Sequence, residues 1–226
     1  KFKTIPYFDG SRIHTGFYEL YSQRNGNNGI RTPREVVLDH INNILIRATT
    51  NQQKFRIWVC GHSLGGALAT LCGYDIIKRL DDAKKLNDPN ISVGLYAHAS
   101  PNVGNSEFAD YFNSKLNNIR PHSWRGRVCN KNDFVPKVRF ENLGYKKIKE
   151  YFQIEFGRPL SEFSSVTAND PQALYLAQYQ FLGYNHSYPT YLIQSLTDLK
   201  KAGYTRSGLL ARNIGYNPNY LAAAGF

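Results

Sequence analysis

The chain has 226 residues, 42% hydrophobic and 20% charged, and its 28 Lys plus Arg against 17 Asp plus Glu give a formal charge of +11. This composition is globular and excludes a disordered or fibrous chain, and the length makes one domain over residues 1–226 the expectation. The cationic surplus favours acidic lipid headgroups or nucleic acid as surroundings, without choosing between them.

The amino terminus, Lys1-Phe2-Lys3 followed by Asp9-Gly10, carries no apolar signal core, and Met is absent even at position 1. The chain is therefore expected to be a mature form or a portion of a longer one, and its compartment stays open. Arg12 to Tyr21 is short and aromatic and reads as a strand or the start of a helix. A loop is predicted from Arg24 to Ile30, where Asn25-Gly26 and Asn28-Gly29 tolerate positive φ. Thr32-Pro33-Arg34-Glu35 then combines a capping box with Pro at the first helical position. The helix it opens should run to about Ala48, because Val37, Ile41, Ile44, Leu45 and Ala48 share one face.

Phe55 to Cys60 is β-branched and aromatic and reads as a buried strand. Helical periodicity follows from Leu64 to about Arg79, then a strand-like run from Ile91 to Ala99, a helix from Glu107 to Leu116 and a third strand from Gly126 to Cys129. Tyr145 to Tyr179 is less regular, with a hairpin or insertion expected around Tyr151 to Phe156, and a last helix is predicted from Thr190 to Lys201. Strands alternating with helices at this spacing predict a largely parallel sheet with helical crossovers, an α/β fold. No stretch reaches the roughly 18 apolar residues of a membrane span. Three cysteines, Cys60, Cys72 and Cys129, without metal-type spacing argue against a disulfide framework or a zinc site and read as buried small hydrophobes.

Chemistry enters with Gly61-His62-Ser63-Leu64-Gly65, a G-x-S-x-G sequence between a predicted strand and a predicted helix. The turn must be tight enough to strain the backbone of Ser63, leaving no room for side chains at Gly61 and Gly65 and lifting the hydroxyl above the sheet. The Leu64 amide, at the helix start, then points toward a developing oxyanion. A serine needs a base, and imidazole suits that task near neutral pH when a carboxylate holds it. With the chain order Ser, acid, His, two histidines remain: His122, with Glu107 or Asp110 before it, and His186. Asp133 lies on a loop just past a strand-like segment, the usual place for site residues in α/β sheets, and His186 on the loop immediately before the last long helix.

At these residues the sequence resembles the class 3, fungal-type lipases. The matching pieces are His14-Thr15-Gly16-Phe17, the elbow extended to Gly66-Ala67, Ser100-Pro101-Asn102-Val103-Gly104-Asn105 with Phe108-Ala109, Asn132-Asp133-Phe134-Val135-Pro136, and His186 ahead of Tyr191-Leu192. They span about Ile13 to Leu192 in the family's order. The resemblance implies an α/β-hydrolase fold, hydrolysis of carboxylic esters of lipids, and a triad of Ser63, Asp133 and His186. His14 and His62 match family positions that are mainly structural.

One departure bears on activity. The family usually has an Arg/Phe-Gly-Thr/Ser-like strand upstream of the His-x-Gly-Phe motif, which supplies a second oxyanion donor and leads into the lid; nothing ahead of His14 matches it, and Gly10-Ser11 lies too close to the motif. Either the native protein extends further toward its amino terminus, or the site is incomplete and the amino-terminal strands are missing. The expected activity is that of a triacylglycerol lipase-like esterase without metal or organic cofactor. Phospholipase A1 and a lipase-like binding protein that no longer turns over are the alternatives. The expected partners are a lipid ester and, through the basic surface, an anionic lipid interface. Basic and aromatic residues interleave near Lys146 to Phe156, but no nucleic-acid module is recognisable.

Overall fold

The computed structural model describes residues 2–4, 10–23, 31–117, 125–133, 135–137, 145–146, 148, 151–154, 186–187, 193, 196–197, 200–201, 203, 205 and 222–225. The predicted loop at 24–30, His122 and the region 155–179 lie outside them. The chain divides into two compact units, Lys1–Val128 with Pro136–Phe152, and Cys129–Val135 with Gln153–Phe226.

The first unit opens with β1 (Phe2–Thr4) and β2 (Arg12–His14), paired antiparallel, and α1 (Thr15–Ser22). The aromatic segment that reads as strand or helix is thus both in succession. His14 makes the switch, because its Nδ1 accepts the Gly16 amide and caps α1. α2 (Pro33–Thr50) starts at the capping box: Thr32 Oγ1 accepts the Glu35 amide at 3.1 Å, and the Glu35 carboxylate accepts the Thr32 amide at 2.8 Å. Two otherwise orphaned amides are satisfied reciprocally, which fixes where the helix begins.

β3 (Phe55–His62), α3 (Leu64–Asp82) and β4 (Ile91–His98) form a right-sized βαβ unit. β3 and β4 pair in parallel from Phe55↔Ile91 to His62↔His98. β6 (Arg125–Asn130) adds a parallel strand to β4, from Leu95↔Arg125 to His98↔Val128. With β8 (Tyr151–Ile154) the order is β3-β4-β6-β8. A separate sheet runs β1-β2-β5-β7, using β5 (Gly104–Asn105) and β7 (Tyr145–Lys146). α4 (Ser106–Asn117) follows β5 and buries Phe108 and Phe112, which stack with Tyr74 of α3.

α3 is the central packing element. Ala67, Leu71, Tyr74 and Ile77 enter one apolar cluster with Leu95, and Ile76 and Leu80 enter another with Ile41, Ile91 and Val93. Each large aliphatic chain so buried contributes about 1.5–3 kcal/mol. α2 is tied to α3 by Arg34, whose Nε and Nη2 reach both oxygens of the buried Asp75 at 2.7 and 3.2 Å.

The strand at 55–60 is not buried as its apolar run predicts. Its residues alternate, with Phe55, Ile57 and Val59 facing the helices and Arg56, Trp58 and Cys60 exposed. Cys60 is correspondingly an exposed thiol, a correction to the buried reading, whereas Cys129 is buried and Cys72 half-buried. Burial pushes the Cys72 thiol up to about 11, so it stays protonated.

In the second unit, Asn130 shapes the turn after β6: its carbonyl accepts the Asp133 amide at 3.0 Å and its Oδ1 the Asn132 amide at 3.2 Å. Ile193, Leu196, Thr197, Lys200 and Lys201 are helical, in agreement with the last predicted helix, and Leu196 is fully buried. The carboxyl-terminal residues 222–225, whose placement the sequence leaves open, form a short helical turn, and Lys200 donates to the Gly225 carbonyl. Among the described residues, no helix is long and apolar enough to cross a membrane.

Candidate active site

Ser63 sits between the end of β3 and the start of α3 with φ 55° and ψ −123°. These angles are costly for any residue with a Cβ, on the order of 1–3 kcal/mol, and persist only where the surroundings over-determine them. Here the Ser63 amide donates to the His98 carbonyl at 2.9 Å, and the Ser63 carbonyl accepts the Ala67 amide at 3.2 Å. The residue is thus anchored on one side to β4 and on the other to the first turn of α3, and its side chain does not cap the helix.

Glycine is required where the two arms of the turn meet. A Cβ on Gly61 would lie 2.0 Å from the Gly65 carbonyl oxygen, which no side chain tolerates. Gly65 does not carry the same restriction: a Cβ there meets nothing within 4 Å. The second crowded position is Gly66, whose Cβ would come within 2.9 Å of the Ser100 Cβ and 3.1 Å of the His98 carbonyl. The motif's last glycine contributes its carbonyl to the crowding, and the residue after it packs against β4 and the loop beyond.

Leu64 is the first residue of α3 and is 44% exposed. Its amide is among the first four of the helix, which have no intrahelical acceptor, and it lies at the positive end of the helix dipole. That position suits a donor to an anionic oxygen.

In the second unit, Asp133 and His186 are in contact: His186 Nδ1 is 2.9 Å from Asp133 Oδ2. Asp133 is buried, and its Oδ1 accepts the Val135 amide at 2.9 Å. An ionised carboxylate only accepts, so the imidazole nitrogen facing it, Nδ1, is the donor of this contact. His186 is half-buried, with 22% of its side chain exposed.

His14 has a visible structural task as the cap of α1, with its ring tilted by 31° against Phe17 at 4.4 Å between ring centroids. Burial lowers its pKa, which keeps the capping nitrogen unprotonated. His98 is a neighbour of the site that the motif pattern does not single out. It pairs in register with His62 beside the elbow, its carbonyl holds the Ser63 amide, and burial followed by the nearby His62 lowers its pKa. Its position at the carboxyl end of a parallel strand is the signal that could have found it. Among the described residues no group of three or more His, Cys, Asp or Glu is arranged to hold a metal ion.

A serine on a strained strand-to-helix bend, set at the carboxyl ends of parallel strands, defines a protein of the α/β-hydrolase class. The family model for lipase (class 3) matches residues 2–143, more than half of the sequence, and the chain belongs to that family. Phospholipase A1-IIgamma of Arabidopsis thaliana is 31% identical over 150 residues, which cover 65% of this chain and 34% of the relative. A lipase of Rhizomucor miehei is 27% identical over 160 residues, covering 69% and 36%. A deletion mutant of the Rhizomucor miehei lipase propeptide complex shares the fold, with a TM-score of 0.50 at 24% identity over 82% of this chain and 54% of that one. The chain spans about a third of the length of the curated relatives it matches.

Proposed function

We propose that the chain is a serine carboxylic ester hydrolase acting on lipid esters, with residues 1–226 serving one hydrolase domain. Ser63 is the nucleophile. His186 takes its proton through Nε2 and returns it to the leaving alcohol, while Asp133 fixes the ring and stabilises the imidazolium. The Leu64 amide donates to the oxyanion of each tetrahedral intermediate, and water releases the acyl group from Ser63. The observation that carries this reading is the backbone of Ser63 at φ 55° and ψ −123°. A turn-forming serine has no reason to hold such angles, whereas a nucleophile that must stand clear of the sheet does. The contact between Asp133 and His186 supports the assignment of acid and base.

Substrate class follows from the relatives and the charge. A phospholipase A1 and lipases are among the similar proteins, and the formal charge of +11 suits an anionic lipid interface. Phospholipids and acylglycerols are therefore the two classes to compare, as mixed vesicles and emulsions. A fluorophosphonate probe tests the nucleophile directly: the proposal expects labelling of the full chain that Ser63→Ala removes without unfolding it. Labelling that survives Ser63→Ala, or none at all in folded protein, would overturn it.

A further inference from the structure

Arg127 on β6 is 7% exposed, and its partners among the described residues are backbone carbonyls alone. Nε and Nη2 donate to the Ser100 carbonyl at 3.2 and 2.6 Å, and Nη2 also donates to the Pro136 carbonyl at 3.1 Å. No carboxylate pairs with this guanidinium among the described residues. Buried charges are ordinarily paired, because carbonyl dipoles offset only part of the lost hydration of a full charge.

The same side chain lines a cavity together with Thr70, Ser100, Asn102 and Lys146. Asn102 is 4% exposed, and its Nδ2 has no hydrogen-bond partner among the described residues. An amide donor left in that state carries a desolvation cost that an acceptor would remove. No described neighbour provides one within hydrogen-bond reach: the Thr70 and Ser100 hydroxyls are turned to the carbonyls of Gly66 and Pro101, and Lys146, a cation held by Asp110, has no acceptor to offer. No described Asp or Glu lines the cavity, which has room for one water or one small ion.

We propose that this cavity binds a monovalent anion of halide size, chloride under ordinary buffer conditions. The ion compensates Arg127 and accepts the Asn102 amide. It braces the loop at 100–103, where Ser100 lies against Gly66 in the first turn of α3. Binding there supports the helix that carries the elbow without entering the chemistry. A water molecule there would satisfy Asn102 but leave the guanidinium uncompensated, so halide dependence separates the two.

The test is thermal unfolding of the full chain in sodium gluconate, replaced stepwise by sodium chloride or sodium bromide at constant ionic strength. The expected result is a saturable rise in Tm of about 5 °C once the halide is well above its Kd. A bromide anomalous peak beside Arg127 in crystals is expected with it. Asn102→Asp places a carboxylate at the cavity and should abolish the dependence on halide. Asn102→Leu removes the donor and should weaken halide binding at least about tenfold. A Tm indifferent to halide in the unaltered protein overturns the proposal. So does a dependence unchanged in both variants, or ordered water without bromide in the cavity.

Discussion

His186 and Asp133 stand 53 positions apart in the chain, yet Nδ1 of the one lies 2.9 Å from Oδ2 of the other. The remaining carboxylate oxygen is occupied by the Val135 amide, so the acid cannot turn without losing a backbone contact. Orientation of the ring is thereby built into the turn that follows β6.

The Asp133→Asn variant should keep this geometry and lose the function. Its amide donates where the carboxylate accepted, which forces the proton of His186 onto Nε2 and removes the base. kcat for a short p-nitrophenyl ester should fall by about 10⁴-fold, with little change in Tm. A fall of less than tenfold in a folded variant would remove Asp133 from the proposed mechanism.

Ser63→Gly should separate stability from activity. Glycine adopts φ 55° and ψ −123° without a Cβ penalty, so relief of about 1–3 kcal/mol of strain outweighs about 0.4–1 kcal/mol of added chain entropy. The variant should unfold at higher urea and hydrolyse nothing. Urea titration of the two proteins side by side measures the difference.

The two flanking glycines of the motif should respond in opposite ways. Gly61→Ala meets the Gly65 carbonyl at 2.0 Å and must shift backbone, a loss of at least about 1–3 kcal/mol. Gly65→Ala enters open space at the start of α3, where helix propensity favours Ala by up to about 1 kcal/mol. Equal destabilisation by both would contradict the packing of the bend.

Stability should decline as pH falls below about 6.5. His98 and His14 both have lowered folded-state pKa values, burial being the main cause in each. The unfolded chain then takes up protons first as pH drops through 6.5, and unfolding becomes easier until the folded protein titrates too. Each histidine contributes at most about 1.4 kcal/mol per pH unit in that window. Asp75 acts in the opposite sense nearer pH 3.8: burial, only partly offset by Arg34, raises its pKa, so protonation favours the folded form. Denaturant unfolding from pH 7.5 to 5.5 should show the histidine slope, and His98→Gln should flatten it.

Much of the first unit is legible in the sequence because its signals are local. The Thr32 and Glu35 capping box, the 3.6-residue period of α2 and α3 and the change of period at Gly61 each depend on residues a few positions apart. What the sequence does not give is which neighbour approaches from elsewhere. The run Phe55 to Cys60 is apolar enough for burial on both faces, yet among the described residues only one face meets helices, and Trp58 remains 54% exposed. Gly65 carries the motif but Gly66 meets Ser100, a contact set by how β4 and its loop pass the helix. Likewise, spacing narrows the base to two histidines, and only tertiary structure brings His186 beside Asp133.

The open side of β3 has a practical use. Cys60 is the exposed thiol, while Cys72 and Cys129 are partly or fully shielded. A maleimide dye offered at equimolar amounts should therefore attach at one position, on the side of the strand turned away from α2 and α3. The chain arrives with its own tether for immobilisation or single-molecule fluorescence, and no engineered cysteine is needed.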